Sequence, residues 1–307
     1  MSDFKYKLSI CIITMNRCEQ LTEAINSCLA CTLPEKTEFV VVDNASTDDT
    51  QEKITLLLEN SGYHFVYKKL NENIGVGPGR NAAFELASGQ YTYFLDDDAV
   101  IAEECYNTFF TGTLDYMDAN NSVVSLTTKI YDLAWECDRT PSLAKGGGIG
   151  GCRQIFMYHG GSHFLRNGYF PHPLYLNFKY GYEELSTSIL TYNKGYRHVW
   201  TDSVRIIHKP KIDKWKKGTD SLRKINILDC SIPYAVKKML YPTVFHQLLK
   251  AAFVMRMKKH LNGDNAAKAE CKKTAADTYK NFKNCLPKKI KFSTVISLYK
   301  QFGMTVW

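Results

Sequence analysis

Three consecutive acidic residues, Asp96-Asp97-Asp98, directly follow the apolar stretch Tyr93-Phe94-Leu95. Adjacent carboxylates repel one another unless solvent or a cation separates them. Mg²⁺ and Mn²⁺ prefer oxygen ligands and commonly share their coordination shell with substrate phosphates. The triplet therefore predicts a divalent metal site, with a solvated acidic turn as the alternative. His208, which ends an apolar run, is a candidate third ligand or an ordinary core or surface histidine.

Two further carboxylates, Glu183 and Glu184, begin a predicted helix over 183–193. Acidic residues are common at helix N-termini because they interact favourably with the helix dipole. If the start of the helix faces a substrate, one of the two can instead accept a proton from a substrate hydroxyl. The pair is a candidate general base, and the residues alone leave open which member acts.

Polar residues that fit a nucleotide follow two predicted strands. Thr14-Met15-Asn16-Arg17 comes after the first strand and Asp43-Asn44 after the second. The carboxylate of Asp43 can accept a hydrogen bond from the ring N–H of uracil or thymine, or it can cap a helix. Arg17 and Arg80 are candidate phosphate or base contacts because a planar guanidinium binds oxyanions through two hydrogen bonds. Either arginine could equally be an ordinary surface residue.

A glycine-rich segment over residues 73–81 precedes a predicted helix at 80–88. Glycines allow the main chain to approach a ligand closely, and the start of a helix favours anions. The turn after the first strand contains no glycine, which disfavours a dinucleotide-binding Rossmann domain.

The predicted elements would bring these residues together. Strands at 8–13, 38–42, 64–67 and 91–95 alternate with helices. Such alternation is typical of α/β folds with a parallel, doubly wound sheet, in which ligands bind at the carboxyl ends of the strands. We therefore expect a mostly parallel sheet flanked by helices, with the polar clusters at one edge. The pattern then loosens, with a helix near 103–119 and strands near 122–128, 154–158, 197–200 and 204–207.

The charge of the chain is divided unevenly. The total is +8, but residues 1–204 carry −9 and residues 205–307 carry +17. This shift predicts a catalytic domain over 1–210 and a basic, mostly helical C-terminal extension over 211–307. Within the extension, residues 237–261 mix apolar and basic side chains, which fits a helix on an anionic membrane surface or one packed on the catalytic domain. No nucleic-acid-binding motif is present, so no nucleic acid is expected.

Composition limits the class of protein. The 307 residues are 45% hydrophobic and 23% charged, which is globular and excludes a disordered chain. The apolar run Leu8–Ile13 is too short for a signal peptide. Of ten scattered cysteines only Cys28 and Cys31 are closely spaced, which fits core or surface thiols in a reducing compartment. We therefore expect a cytoplasmic protein that can associate with the inner face of the cell membrane.

Taken together, the residues resemble family 2 glycosyltransferases, which have the GT-A fold. The resemblance covers about residues 7–210 and is carried by Ile12-Ile13-Thr14-Met15-Asn16-Arg17, Val41-Val42-Asp43-Asn44-Ala45-Ser46-Thr47-Asp48, the segment Asn73 to Asn81, Phe94-Leu95-Asp96-Asp97-Asp98, Tyr182-Glu183-Glu184, Gly195-Tyr196-Arg197 and His208. It implies a metal-dependent, inverting sugar transfer from a UDP- or dTDP-sugar to a glycan or lipid-linked glycan, in the synthesis of surface polysaccharide or glycoconjugate. The implied cofactor is Mn²⁺ or Mg²⁺.

The resemblance also implies roles for individual residues. The implied nucleotide-binding residues are Thr14, Asn16, Arg17, Asp43, Asn44, Arg80 and Asp97. The implied metal ligands are Asp96, Asp98 and His208, and the implied base is Glu184, with Glu183 as the other candidate. The chain departs from the family pattern at Glu184 and Ser186, where the family usually has Asp, and at Leu190, where it often has Arg.

Two other functions are weighed against this one. A sugar nucleotidyltransferase normally has a glycine-rich, basic loop after its first strand, and Thr14 to Arg17 is not such a loop. A non-catalytic sugar-nucleotide or membrane-binding module would not need Asp98 and Glu184, which are both present.

Overall fold

A computed structural model of the chain describes residues 4–178, 181–210 and 219–307. The strands within these ranges are β1 (Tyr6–Thr14), β2 (Thr37–Asp43), β3 (His64–Lys69), β4 (Gly89–Asp96), β5 (Ala99–Ile101), β6 (Val123–Asp132), β7 (Cys137–Arg139), β8 (Arg153–Gln154), β9 (Ser162–Arg166) and β10 (Arg197–His208). The α-helices are α1 (Cys18–Leu29), α2 (Thr50–Glu59), α3 (Val76–Leu86), α4 (Thr111–Ala119), α5 (Glu183–Asn193), α6 (Thr219–Leu240), α7 (His246–His260), α8 (Asn265–Phe282) and α9 (Phe292–Phe302).

The strands form one mixed sheet in the order β3-β2-β1-β4-β9-β6-β10-β5. The four strands β3, β2, β1 and β4 are parallel to one another, and β6 is parallel to β10. Strand β9 is antiparallel to both β4 and β6. Central parallel strands are covered on both faces, which explains why every residue of β2 is buried. The predicted α/β class, with a sheet flanked by helices, is confirmed.

The sheet contains strands that the sequence pattern does not indicate, and the most central of them is β9. This strand lies in a stretch rich in glycine and histidine, and all five of its residues are buried. The polar side chain of His163 is accommodated there because its Nε2 lies 3.0 Å from the hydroxyl of Tyr175. Tertiary partners of this kind leave no local pattern in the sequence.

Several predicted boundaries were wrong. The strands expected at 197–200 and 204–207 form the single strand β10, with an irregular register between Trp200 and Arg205. The helix expected near 103–119 is divided into a short 3₁₀ turn at Glu103–Cys105 and α4. The strand expected at 154–158 is only the two residues of β8.

The C-terminal helices share an apolar core with α5. Leu185 and Ile189 of α5 belong to one cluster with Val236, Leu249 and Leu298 from α6, α7 and α9. The predicted boundary after residue 210 adjoins residues 211–218, which lie outside the described residues, so the two-domain division stays a prediction. Among the helices of the described ranges, none has the length and apolar character needed to cross a bilayer.

Candidate active site

A cleft of about 600 Å³ opens where β1, β4 and β10 end. Ten of the twelve residues singled out in the sequence line it: Thr14, Arg17, Asn44, Arg80, Asp96, Asp97, Asp98, Glu183, Glu184 and His208. Asn16 and Asp43 lie next to lining residues and do not line the cleft themselves. The polar residues at the strand ends thus meet at one edge of the sheet, as expected for an α/β fold.

Asp96, Asp98 and His208 form a cluster that fits a divalent cation. Each offers a potential ligand atom, and these three atoms lie within 4.8 Å of one another. The Nε2 atom of His208 is 3.2 Å from Oδ1 of Asp98. Two carboxylates and one imidazole in an open cleft suit Mn²⁺ or Mg²⁺ with room for further oxygen ligands.

His208 is oriented by Asp132, which the sequence analysis did not identify. Its Nδ1 atom lies 3.0 Å from Oδ2 of Asp132 and 2.9 Å from Nη2 of Arg139. In the tautomer that donates from Nδ1 to Asp132, Nε2 is free to bind a metal. Although burial opposes it, hydrogen bonding from Arg139 holds the pKa of Asp132 below its usual range. Asp132 is the last residue of β6, and the strand predicted near 122–128 ended before reaching it.

The middle carboxylate of the triplet, Asp97, faces β1 and the start of α1. It accepts hydrogen bonds from Thr14 Oγ1 at 2.8 Å and from Arg17 Nη1 at 2.7 Å. The same nitrogen of Arg17 lies 2.9 Å from Asp98. Burial raises the pKa of Asp97 to about 6 in spite of the opposing charge of Arg17. Arg17 therefore compensates two carboxylates of the triplet while 43% of its side chain stays exposed.

The polar residues at the ends of β1 and β2 are held by hydrogen bonds within the protein. The carboxylate of Asp43 is fully buried and accepts hydrogen bonds from the Ser46 amide and the Tyr67 hydroxyl, both at 2.7 Å. Asn44 lines the cleft and donates to the carbonyl of Gly75 at 3.3 Å. The side chain of Asn16 accepts from the Thr47 amide at 2.7 Å and so joins the β1 and β2 loops.

Arg80 links the acidic triplet to the two glutamates. Its Nη1 atom lies 2.9 Å from Glu183 Oε1 and 3.1 Å from Glu184 Oε1. Its Nη2 atom lies 2.8 Å from Asp96 Oδ1 and donates to the carbonyl of Gly160 at 2.9 Å. Arg80 is buried, and its guanidinium forms ion pairs with three carboxylates.

The two glutamates occupy the first turn of α5 and are both buried. The chain reaches this turn through Gly181 and Tyr182, which both have positive φ angles. Burial, together with the charge of Glu183, raises the pKa of Glu184 to about 8, although Arg80 acts in the opposite direction. Glu184 is therefore able to take up a proton near neutral pH.

Gly160 and Gly161 are further parts of the site that the sequence analysis missed. A Cβ atom at Gly160 would overlap Glu184 Oε1 and lie 2.5 Å from Arg80 Nη1. A Cβ atom at Gly161 would lie 3.0 Å from Asp96 Oδ2. The only sequence signal for this close approach was the glycine pair itself.

The glycine-rich segment leads into α3, and its expected contact with a ligand stays a prediction. Residues 76–81 of the segment belong to α3, which begins at Val76 rather than near residue 80. A Cβ atom on Gly77 would lie 3.0 Å from the carbonyl of Phe178, and one on Gly79 would lie 3.0 Å from the side chain of Ile13. These two glycines allow protein segments to pack closely, while Gly75 and Val76 line the cleft.

Comparison with known proteins agrees with this geometry. The model of the family described as Glycosyl transferase family 2 matches residues 9–166, about half of the chain. Abequosyltransferase RfbV of Salmonella typhimurium is 35% identical over 103 residues, which are 32% of this chain and 29% of that protein. The match thus spans less than a third of that relative.

Two solved structures are similar in fold. TarS 1-349 of S. aureus in complex with UDP-GlcNAc is 18% identical with a TM-score of 0.56, covering 92% of this chain and 82% of that one. The mannosyltransferase PcManGT of Pyrobaculum calidifontis, in complex with GDP-Man and Mn²⁺, is 16% identical with a TM-score of 0.54, covering 92% and 84%. With its sheet, its cleft and its family match, the chain belongs to glycosyltransferase family 2.

Proposed function

We propose that this chain is a metal-dependent, inverting glycosyltransferase that moves a sugar from a UDP- or dTDP-sugar to a hydroxyl group of a glycan acceptor. The observation that carries the proposal is that the guanidinium of Arg80 contacts both a candidate metal ligand and the candidate general base. Arg80 forms ion pairs with Asp96, one of the three candidate metal ligands, through Nη2 and with Glu184 through Nη1. A base and a cation site therefore lie within reach of a single sugar diphosphate.

In the proposed reaction, the acceptor oxygen forms a bond to the anomeric carbon of the donor sugar. The bond from that carbon to the diphosphate oxygen breaks, and its electron pair leaves with the diphosphate. Attack from the face opposite the leaving group inverts the anomeric carbon. The acceptor proton passes to the carboxylate of Glu184, and a general base of this kind typically contributes about 10²–10⁴-fold to the rate.

Glu184 is assigned the base role in preference to Glu183. Burial and the neighbouring charge raise the pKa of Glu184, and a higher pKa makes its carboxylate a stronger base. Glu183 lies closer to Arg80, and we assign it to holding that guanidinium in place.

Asp96, Asp98 and His208 would hold the divalent cation. Mn²⁺ or Mg²⁺ bound there would neutralise charge on the leaving diphosphate as a Lewis acid. The presence of Mn²⁺ together with GDP-Man in the mannosyltransferase PcManGT supports this assignment.

The nucleotide is placed along Thr14, Arg17, Asn44 and Asp97, with its base near Asp43. A carboxylate has about four acceptor sites, and Asp43 uses two of them for Ser46 and Tyr67. Asp43 keeps acceptor sites for the ring N–H of a pyrimidine, but it is fully buried and does not line the cleft, so this contact requires the loops after β1 and β2 to open. The complex of TarS with UDP-GlcNAc supports a UDP-sugar as the donor.

A donor screen tests the proposal. The purified chain is incubated with Mn²⁺ and a series of UDP-, dTDP- and GDP-sugars, and release of the nucleoside diphosphate is measured with and without a glycan acceptor mixture. We expect release from a UDP- or dTDP-sugar that requires the cation. Release of pyrophosphate from a nucleoside triphosphate and a sugar phosphate would instead identify a nucleotidyltransferase.

The base assignment is tested with Glu184→Gln and Glu183→Gln. Because glutamine cannot take up the proton, Glu184→Gln should keep donor binding and lose at least about 100-fold of the transfer rate. Glu270→Gln, a change in an exposed ion pair with Arg223, is the control and should transfer normally. Normal transfer by Glu184→Gln would show that the base is another group.

A further inference from the structure

Arg139, the last residue of β7, lines the cleft beside the proposed metal ligands. Strand β7 is antiparallel to β6, with Cys137 opposite Asp132. The guanidinium of Arg139 donates to Asp132 from both Nε and Nη2, and its Nη2 lies 2.9 Å from Nδ1 of His208. The pairing of β6 with β7 therefore places a cationic side chain next to the carboxylate that orients His208.

The arginines that line the cleft within the described ranges differ in the number of carboxylates they contact. Arg80 is buried and forms ion pairs with three carboxylates, and Arg17 forms them with two. Arg139 pairs with one carboxylate of the described residues, that of Asp132, and 40% of its side chain is exposed. Among the same residues, no group accepts a hydrogen bond from its Nη1. Arg139 therefore shares its charge with the fewest carboxylates and has N–H donors left for a ligand.

A second N–H of Arg139 becomes available when Nε2 of His208 is bound to a cation. Nδ1 of His208 lies 3.0 Å from Asp132 Oδ2 and 2.9 Å from Arg139 Nη2. A neutral imidazole with its Nε2 lone pair on a metal carries its proton on Nδ1, so Nδ1 donates to Asp132 and cannot accept from Arg139. One N–H of Nη2 is then without an acceptor. Nη1 and Nη2 together offer the two parallel hydrogen bonds with which a guanidinium binds an oxyanion.

The place of β7 in the sheet indicates which part of a bound donor Arg139 meets. In the strand order, β4 and β9 lie between β1 and β2, whose ends carry the proposed nucleoside contacts, and the pair β6 and β10. The diphosphate of a donor has to extend from those contacts to the cluster of Asp96, Asp98 and His208. Since β7 pairs with β6, its side chains are reached by the far end of the diphosphate rather than by the nucleoside.

We propose that Arg139 is a catalytic residue that binds, through Nη1 and Nη2, the phosphate group that carries the donor sugar. The inference rests on the proposed function, which supplies the donor. When the bond from the anomeric carbon to this phosphate breaks, its electron pair and the negative charge stay on the diphosphate. The guanidinium of Arg139 stabilises that charge as it develops. Asp132 holds the guanidinium in place through Nε.

Binding of three probes to the full chain, measured by calorimetry with Mg²⁺ in excess, tests the assignment. The probes are UDP, UMP, which lacks the terminal phosphate, and inorganic pyrophosphate, which lacks the nucleoside. We expect Arg139→Gln to weaken the binding of UDP and pyrophosphate at least about tenfold and that of UMP less than about threefold. Arg139→Lys keeps the charge and loses the planar fork, so its UDP affinity should fall between those of the parent and Arg139→Gln.

Arg205→Gln is the matched control. Arg205 is 42% exposed, pairs with the carboxylate of Glu104 and does not line the cleft, so all three affinities should stay unchanged. Binding of Mn²⁺ without nucleotide, followed by electron paramagnetic resonance, separates a phosphate contact from an effect on Asp132, and the parent and Arg139→Gln should bind Mn²⁺ alike. Equal changes for UDP and UMP in Arg139→Gln would overturn the proposal. A loss of Mn²⁺ affinity together with those equal changes would show that Arg139 only holds Asp132 in place.

Kinetics separates this inference from the proposed function. If the chain transfers sugar, Arg139→Gln should lower kcat at least about tenfold, because the phosphate contact is strongest when the leaving group is charged. The KM for the acceptor should not change. Sugar transfer with unaltered kcat and UDP affinity in Arg139→Gln would overturn the role of Arg139 and leave the proposed function standing. A parent chain that binds pyrophosphate and no UDP would count against the UDP donor, while weaker pyrophosphate binding by Arg139→Gln would still support the phosphate contact.

Discussion

The guanidinium of Arg80 lies 3.1 Å from the carboxylate of Glu184, although 104 residues separate the two in the chain. The same side chain bonds Glu183 and Asp96. One cation cannot neutralise three carboxylates, so part of the negative charge at the site stays uncompensated. Together with burial, this excess charge explains why the pKa of Glu184 is raised even though an arginine touches it.

Replacing Arg80 by methionine should destabilise the protein strongly. The change leaves buried carboxylates without their cation, and breaking a buried ion pair in this way typically costs about 3–5 kcal/mol in the free energy of unfolding. Urea unfolding followed by circular dichroism measures this cost. Arg223→Met removes an arginine with two acidic partners at the protein surface and should have a much smaller effect. An equal loss of unfolding free energy in the two variants would show that the ion pairs of Arg80 stabilise the fold no more than a surface ion pair.

The raised pKa of Glu184 predicts the pH dependence of transfer. The carboxyl group must be ionised to accept a proton, and its pKa is about 8. The rate should therefore rise between pH 6 and pH 9 and level off above that range. Initial rates at saturating donor and constant Mn²⁺ measure the profile. A rate that is already maximal at pH 6 would contradict the assignment.

The free energy of unfolding should also depend on the ionisation of Glu184, but it should fall with rising pH where the transfer rate rises. The carboxyl has a pKa of about 4.3 in the unfolded chain and a raised one in the fold, so the folded state binds the proton more tightly. The free energy of unfolding should therefore fall as the pH rises from about 4 to about 8. Glu184→Gln, which cannot ionise, should lack this component and be more stable than the parent at pH 8. A difference between parent and variant that does not change with pH would exclude a raised pKa at this position.

Gly160→Ala should damage the site without unfolding the protein. The added methyl group would meet Glu184 Oε1 and Arg80 Nη1, so the pair must move apart. We expect a loss of transfer rate of at least about tenfold, because small misplacements of catalytic groups are costly. Gly146→Ala is the control, since a Cβ atom there meets nothing within 4 Å. Comparable activity of both variants would indicate that the Arg80–Glu184 contact is dispensable.

The strands that carry the site could be predicted from their composition. β1, β2 and β4 are apolar runs bounded by polar residues, and each ends within one residue of its predicted limit. Their carboxyl ends meet because the topology requires it, which is why Thr14, Asn44 and the acidic triplet fall in one cleft.

The contacts within the cleft could not be predicted in the same way. Two partners of Arg80, Glu183 and Glu184, lie more than 100 residues away, and no local pattern in the sequence indicates such a contact. Asp132 was missed because β6 continues beyond its apolar part and pairs with β10 as far as His208. The antiparallel strand β9 was missed because its polar residues are buried by partners elsewhere in the chain.

Asp132→Asn should weaken metal binding while the ligands stay in place. The carboxylate of Asp132 orients His208 through its Nδ1 atom, and loss of such a partner typically lowers metal affinity about 10–100-fold. Binding of Mn²⁺ in the presence of UDP, measured by electron paramagnetic resonance, reports the change. Asp138→Asn on the neighbouring strand β7 removes an ion pair with Lys129 and should leave the affinity unchanged. Identical affinities in the two variants would show that Asp132 does not orient a metal ligand.

The exposed face of α7 is the part of the C-terminal region on which the predicted membrane association can be tested. This helix buries Leu249 and Phe253 in the C-terminal cores, while Leu248 and Met255 are 51% and 53% exposed on one face. Apolar side chains flanked by lysines can insert at an anionic lipid surface. If α7 binds an anionic membrane surface, the protein should sediment with phosphatidylglycerol vesicles and not with phosphatidylcholine vesicles. The double change Leu248→Ser with Met255→Ser should then reduce binding at least about tenfold.

The double serine variant is preferable to deleting the C-terminal residues, because α6, α7 and α9 share a core with α5 and their removal would expose it. Leu222→Ser is the control, since Leu222 is 48% exposed on α6. Because added salt screens surface charges, binding should also weaken between 0.05 and 0.5 M salt, a range over which the screening length falls from about 14 to about 4 Å. Sedimentation with anionic vesicles that is absent, or that the double variant leaves unchanged, would favour a helix whose lysines are simply solvated.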